Sequence, residues 1–326
     1  MPGWFRTLSL VALATIMLLA GGQAQAQDYP NRNITIIVPF AAGGTTDIIG
    51  RLIGQKLSEF TGVTVLVENV PGAATIIGTE KAARSAPDGY TLYLASSTPF
   101  ATNPNFYRKL RYSIDDFEMI SLISRVPLMF DVNPNLPVDS VQSMVSYAKQ
   151  KPGGVTVGSP GHGSLGEIVN GMARGILDMP LTDVPYRGGG LALGDVLKGV
   201  TDAYFDAISS TLPLYQTGKI KVLASTGRSR SPAAPNVPTL VELGYKDFVL
   251  ENLYSIMAPK GTPRPIIDKL NGLLRRALSD TDFREKMLTQ GVVLEASSPE
   301  ELRKAVQADY EFMARMARQF NIKPLE

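Results

Sequence analysis

No cysteine occurs among the 326 residues. That absence removes disulfides, thiolate metal ligands and a cysteine nucleophile. There is one histidine, His162, which excludes histidine-rich metal centres and leaves a serine hydrolase without a separately placed base. An excess of charge of one sign is missing as well. Lys and Arg number 32 against 30 Asp and Glu, whereas a nucleic-acid binder carries a basic stripe. Beyond the N-terminus no apolar run is long enough to cross a bilayer. No low-complexity segment, fixed-period repeat or EF-hand-like loop is seen. The chain is therefore expected to bind no nucleic acid and to use no cofactor and no metal. A site made of Asp and Glu alone is the one metal chemistry that composition leaves open.

What is present begins with an address. Arg6 precedes an apolar stretch of 13 residues, Leu8 to Ala20, and Ala24-Gln25-Ala26 has the form of a cleavage site. Residues 1–26 read as a signal peptide. No cysteine follows the apolar run, so a lipoprotein is excluded. The mature chain is expected to start at Gln27 and to be exported to the periplasm. A hydrophobic fraction of 44% and a charged fraction of 19% are those of a globular protein, and the length suits about two domains.

The chain is organised around Val38-Pro39-Phe40-Ala41-Ala42-Gly43-Gly44-Thr45-Thr46-Asp47. The β-branched run Ile34–Val38 before it predicts a buried strand. Ile48, Ile49, Leu52, Ile53 and Leu57 after it recur at helical spacing. Pro39 stops the strand, Gly43 and Gly44 permit a tight turn, and Thr45 or Thr46 is expected to cap the helix. Asp47 suits the positive end of the helix dipole. A helix N-terminus off the carboxyl end of a strand binds anions.

The same grammar recurs. Strands are predicted over 63–68, 91–95, 117–123, 128–132, 155–157, 182–184, 203–205, 220–224 and 292–294, with helices between most of them. Gly-rich or Ser/Thr-rich strand-to-helix loops fall at 96–99, 159–164 and 186–190. Alternation of this kind predicts α/β domains with mainly parallel sheets flanked by helices. Ligands then bind outside the carboxyl ends of the strands, where these loops lie.

The loops offer little chemistry. Gly43-Gly44-Thr45-Thr46 lacks the Lys of a P-loop, and its glycine spacing is not that of a dinucleotide fold. Ser164 sits on a strand-to-helix turn, but His162 occupies the place where a nucleophile elbow needs Gly. A serine esterase at Ser164 is the enzyme alternative, and it lacks a base. His162 reads as a loop residue or as a neutral donor to a ligand. Asp206 either accepts from a ligand amine or hydroxyl or holds its own loop as an Asx-turn. Arg187 reads as solvated charge. Phe40, Phe100, Tyr186, Phe205 and Tyr254 fall at or near loop tips, some for the core and some for a pocket wall. Donors for holding an anion are evident; groups for transforming one are not. The chain reads as a binding protein.

These residues also carry a resemblance. Tyr29-Pro30 with Ile34–Phe40, Gly43–Asp47, Val67-Glu68-Asn69 with Pro71-Gly72-Ala73, and Ala86–Leu92 stand in order. Gly158-Ser159 with Gly161 and Gly163-Ser164, Val184-Pro185-Tyr186, Phe205-Asp206, Val237-Pro238-Thr239 and Ala258–Pro263 follow. The set resembles the periplasmic solute receptors of tripartite tricarboxylate transporters, the Bug or TctC family. The resemblance implies a two-domain Venus-flytrap fold with its ligand cleft between the lobes. Domain 1 would be discontinuous, 27–124 plus 252–326, and domain 2 would be 125–251. It implies a receptor that captures a small organic mono- or dicarboxylate and delivers it to membrane permease subunits, working as a monomer. A secreted sensor for a signalling partner is the alternative of the same shape. Carried over residue by residue, the implied ligand contacts are Phe40, Ala41, Gly44, Thr45, Thr98, Ser159, Gly163, Ser164 and Asp206, with His162 beside them. Pro160, His162 and Ala207 depart from the usual pattern, on the side that should choose the ligand.

Overall fold

The computed structural model describes residues 29–161, 164–186 and 188–322. The first half of the chain builds β1 (Ile34–Val38), α1 (Thr45–Thr61), β2 (Val65–Asn69), α2 (Ile76–Ala83) and β3 (Thr91–Ala95). A π-helical turn (Thr98–Thr102) runs into α3 (Asn103–Phe106), and β4 (Phe117–Val132) follows. Next come α4 (Val141–Gln150), β5 (Val155–Ser159), α5 (Leu165–Ile176), β6 (Leu181–Pro185), α6 (Gly189–Lys198) and β7 (Ala203–Ala207). Then α7 (Ile208–Gln216), β8 (Lys221–Ser225), β9 (Glu251–Pro259), α8 (Arg264–Ser279), α9 (Thr281–Leu288) and α10 (Pro299–Gln319) complete the order. No helix among the described residues is long and apolar enough to cross a membrane.

β1 is buried because Ile34, Ile36, Ile37 and Val38 have no polar partner to offer water. α1 lays Ile49, Ile53 and Leu57 on it. Gly50 and Gly54 allow the close approach: a Cβ on Gly50 would stand 3.0 Å from the Val38 side chain, and one on Gly54 3.3 Å from the Val65 carbonyl. Truncating Ile53 to Ala would cost about 2–5 kcal/mol in such packing. The expected threonine cap of α1 is not made. Gly44 is the N-cap, in extended conformation and with no side-chain cap, because the Thr45 hydroxyl is turned to Ser209 instead.

The flanking ladders are parallel, β1 with β2 and β3, and β5 with β6 and β7. Antiparallel pairing joins them through β4 and β9, so the sheet order is β2-β1-β3-β9-β4-β7-β5-β6. Two separate strands were expected over 117–132; β4 is instead one continuous strand of 16 residues. The polar pair Ser124 and Arg125 breaks the apolar run, yet Tyr254 and Leu253 of β9 pair with it, after a register shift between Leu122 and Ser124. The strand expected at 292–294 reduces to a single bridge between Ser124 and Leu294.

One core gathers the α1 face, β1, β3 and α8. Another gathers Phe130, Phe205 and Phe248 under α4 and α5, with the Phe130 and Phe205 rings stacked 4.3 Å apart. Two elements serve both sides. Ile208 and Leu212 of α7 enter the first core. α10 buries Leu302 and Val306 near β9 and then Met313 and Met316 against the second core.

Candidate ligand cleft

A cavity of about 530 Å³ opens between the loops that end the strands. From the first half come Phe40, Gly44, Thr45 and Thr46 at the start of α1, Ala74 and Thr75 before α2, and Thr98. From the other side come Pro160, Ser164, Leu165 and Gly166 at the start of α5, and Gly188, Gly189 and Gly190 at the start of α6. Asp206, Ala207 and Ser210, where β7 turns into α7, and Asn252 and Tyr254 of β9 form the floor. The N-termini of α1, α5 and α6 are among those that converge on this cavity, and each presents backbone N–H groups. Neither α1 nor α6 has a side-chain cap, so those donors are open.

The frame of each loop is local. Asp47 accepts from the Gly43 N–H at 2.9 Å, from Arg51 at 3.0 Å and from Asn69 at 2.9 Å. Burial pushes its carboxyl up, but these bonds, Arg51 first, hold it below the ordinary value. Asn69 also donates to the Phe40 carbonyl, so one carboxylate fixes the whole loop 40–44. Ser97 and Asn252 clasp the third loop to β9: the Ser97 N–H donates to Asn252 and the Leu253 N–H donates to Ser97. Ala73, Ala74 and Thr75 all have positive φ, an uncommon conformation for non-glycine residues. Asn103 steadies them by donating to the Ala74 carbonyl at 2.8 Å.

The floor is acidic. Asp206 is buried, and burial pushes its carboxyl up to about 7, against hydrogen bonds from the Ala207 N–H, Ser210 and Tyr204. Asp131, behind it, is fully buried and also raised, by burial and by the Asp206 charge. Burial pushes the Tyr254 phenol up to about 12. Among the described residues the cleft wall contains no Lys or Arg. No group of His, Cys, Asp and Glu among them could hold a metal ion.

Ser164 is not set up as a nucleophile. Its hydroxyl caps α5, accepting from the Glu167 N–H at 3.4 Å. The arrangement can hold an anion through N–H groups and hydroxyls, with aromatic walls to either side.

The profile described as the tripartite tricarboxylate transporter family receptor matches residues 49–322. The chain belongs to that receptor family. BugT of Bordetella pertussis is 33% identical over 96% of this chain and 98% of its own length. A protein of Agrobacterium vitis from the TAR-I ttuE-ttuC' intergenic region is 34% identical over 95% of this chain and 90% of its own. Among solved structures, an R. palustris protein with adipate superposes with a TM-score of 0.86 at 32% identity, covering 91% of this chain and 100% of that one. MatC of Rhodopseudomonas palustris with bound malate gives 0.79 at 29%, covering 88% and 99%. The two-domain periplasmic binding protein fold and the role of solute-binding receptor, not enzyme, follow from this membership. Family members are periplasmic receptors.

Of the residues expected to contact ligand, Phe40, Gly44, Thr45, Thr98, Ser164 and Asp206 all line this receptor's cleft. Ala41 and Ser159 do not. Ala41 is exposed outside the wall, and Ser159 is buried at the end of β5, where its hydroxyl donates to Asp183 at 3.3 Å. His162 and Gly163 lie outside the described residues. Of the loop-tip aromatics, Phe40, Phe205 and Tyr254 form wall. Phe100 packs with Tyr112 and Phe117, and Tyr186 donates to Asp195. Sequence reasoning missed Thr75, Tyr204, Ser210 and Asn252. The run Gly188-Gly189-Gly190 was legible as a loop; three glycines before a helix were the signal that it too presents bare N–H groups.

Proposed function

We propose that the protein captures a small organic acid, a mono- or dicarboxylate, in this cleft and hands it to membrane permease subunits of its transporter. The observation that carries the reading is the convergence of the N-termini of α1, α5 and α6 on one cavity. Partial positive charge from N–H groups holds a carboxylate there without a counter-cation. The relatives solved with adipate and with malate support the ligand class.

On this reading residues 1–26 are a cleaved signal peptide and the mature chain works in the periplasm as a monomer. Its lobes are 27–124 plus 252–326 and 125–251. β4 and the segment entering β9 form the hinge between them, and contacts of the acid to both lobes drive closure. α10, which packs on both cores, limits how far the lobes open. The contacts to the acid are the N–H groups of Gly44, Thr45 and Gly163, the hydroxyls of Thr45, Thr98 and Ser164, and Asp206.

A thermal-shift panel of succinate, malate, citrate, adipate, glutamate, aspartate, nicotinate and aromatic acids tests this. A ligand that binds only the native state stabilises it by about 2.7 kcal/mol at one hundred times its dissociation constant. A clear shift with one acid class supports the reading. No shift with any of them, for ligand-free folded protein, removes it.

A further inference from the structure

Two carboxyls share the floor of the cleft. β4 and β7 are paired so that Met129 faces Asp206 and Asp131 faces Tyr204. Asp131 and Asp206 are therefore diagonal neighbours on one face of the sheet. Asp131 is 0% exposed and Asp206 7%. The Thr211 hydroxyl donates to Oδ2 of Asp131 at 2.5 Å, and the Ala207 N–H donates to Oδ1 of Asp206 at 2.8 Å. The remaining oxygens, Oδ1 of Asp131 and Oδ2 of Asp206, are buried with no partner.

The surroundings hold no cation among the described residues. Tyr204 of β7, Ser210 and Thr211 of α7, and Tyr254 of β9 face the pair. α6 meets it with backbone, since a Cβ on Gly189 would lie 3.6 Å from Oδ1 of Asp206. Among the described residues the charge that acts on Asp131 is that of Asp206. Two ionised carboxylates in so dry a place repel each other, and at least one keeps a proton.

The α6 N-terminus beside Asp206 is a place for a negative group, not for an ammonium. A ligand carboxylate can sit there only if Asp206 is neutral. We propose that Asp206 binds the second end of the captured acid as a neutral carboxylic acid, donating its carboxyl proton to a ligand carboxylate, and that capture of a dicarboxylate takes up one proton. The inference rests on the carboxylate-receptor reading and narrows it to acids with an acceptor at both ends. The raised Asp206 carboxyl, at about 7, makes the exchange available near neutrality. The bound anion raises it further, so affinity is flat below about pH 7 and falls above it, by up to about tenfold per pH unit.

The test uses the protein purified from the periplasm, with adipate as probe because it is fully ionised at these pH values. Calorimetry at about pH 7.5 in two buffers of different protonation enthalpy counts protons. Uptake approaching one proton per adipate is expected, lost in Asp206→Asn and kept in His162→Gln. Uptake that survives Asp206→Asn, or that disappears in His162→Gln, overturns the assignment. So does aspartate binding more tightly than adipate with release of a proton. A ligand-free measurement separates this inference from the reading beneath it. Infrared spectra should show the carbonyl band of a neutral carboxylic acid at about pH 6 that fades toward about pH 9 and is diminished in Asp206→Asn. If adipate gives no thermal shift, the reading fails for that acid, while the part of the band lost in Asp206→Asn decides whether Asp206 carries the proton; a band unchanged by that substitution overturns the inference.

Discussion

The hydroxyl of Thr45, in the first turn of α1, is hydrogen-bonded to the hydroxyl of Ser209 in α7. The bond joins segments 164 residues apart and ties the uncapped end of α1 to the turn that presents Asp206. A carboxylate arriving at α1 competes with Ser209 for Thr45. Thr45→Ala should therefore weaken acid binding by about 1–3 kcal/mol, the cost of losing a hydrogen bond to a charged group. Ser209→Ala should leave affinity within a few-fold, because the Thr45 hydroxyl is then free for the ligand. Equal loss in both variants would mean that the bond positions α1 and that Thr45 does not itself hold the acid. Titration calorimetry of the two proteins decides between these outcomes.

Asp47 makes a second prediction, about acid. Its carboxyl is held below 3.8 in the fold, so it contributes stability that is complete above that value and lost as pH falls through the lower, folded value. Asp47→Asn should melt lower than the parent at neutral pH, by about 1–3 kcal/mol for the weakened bonds to Gly43, Asn69 and Arg51. The difference should shrink as pH drops below about 4, where the unfolded chain takes up a proton at Asp47 before the folded one does, and should be gone below the folded value. Melting curves from neutrality to about pH 3 read this directly.

Much of this molecule was legible in its sequence because strand and loop chemistry are local. The strands Ile34–Val38 and Thr91–Ala95 stand where expected. What was not legible depends on partners far along the chain. Thr45 has the chemistry of a helix cap, and only Ser209 draws it away. Ser124 and Arg125 read as a break between strands until β9, more than a hundred residues later, pairs with them. Thr75 has a positive φ, and its hydroxyl accepts from Asn103, far along the chain. The cleft itself was half visible. Each Gly-rich loop announces a helix N-terminus, but the acidic floor exists only because Asp131 of β4 lies diagonal to Asp206 of β7.

Gly189 supplies a third prediction. A Cβ there would stand 2.7 Å from the Tyr204 hydroxyl, and Tyr204 is buried beside the cleft. Gly189→Ala should push Tyr204 toward Asp206, costing about 1–3 kcal/mol of stability and at least about tenfold in acid affinity. Gly194, one turn further along α6, has nothing within 4 Å of its Cβ position. Gly194→Ala should stabilise the helix by up to about 1 kcal/mol and leave binding alone. If both variants bind as the parent does, the α6 N-terminus is not part of the site.

The Asp206 carboxyl also shapes the stability of the ligand-free receptor. Its value rises from 3.8 to about 7 on folding. Between those values the folded chain holds a proton that the unfolded chain has released. Stability therefore falls as pH rises through that window and is level above it, the reverse of the Asp47 case. Asp206→Asn keeps the shape and removes the charge. At about pH 8 the variant should melt above the parent by several degrees, since each pH unit of the window is worth up to about 1.4 kcal/mol. The gap should narrow toward about pH 5, where the parent carboxyl is already neutral in the fold. Dicarboxylate binding should move the opposite way in the same protein, because the amide cannot give a ligand carboxylate the proton that the acid gives. A variant more stable and less able to bind is the signature of a buried charge retained for its ligand. A variant less stable at about pH 8 would instead make Asp206 an ionised part of the frame, satisfied by Ala207, Ser210 and Tyr204.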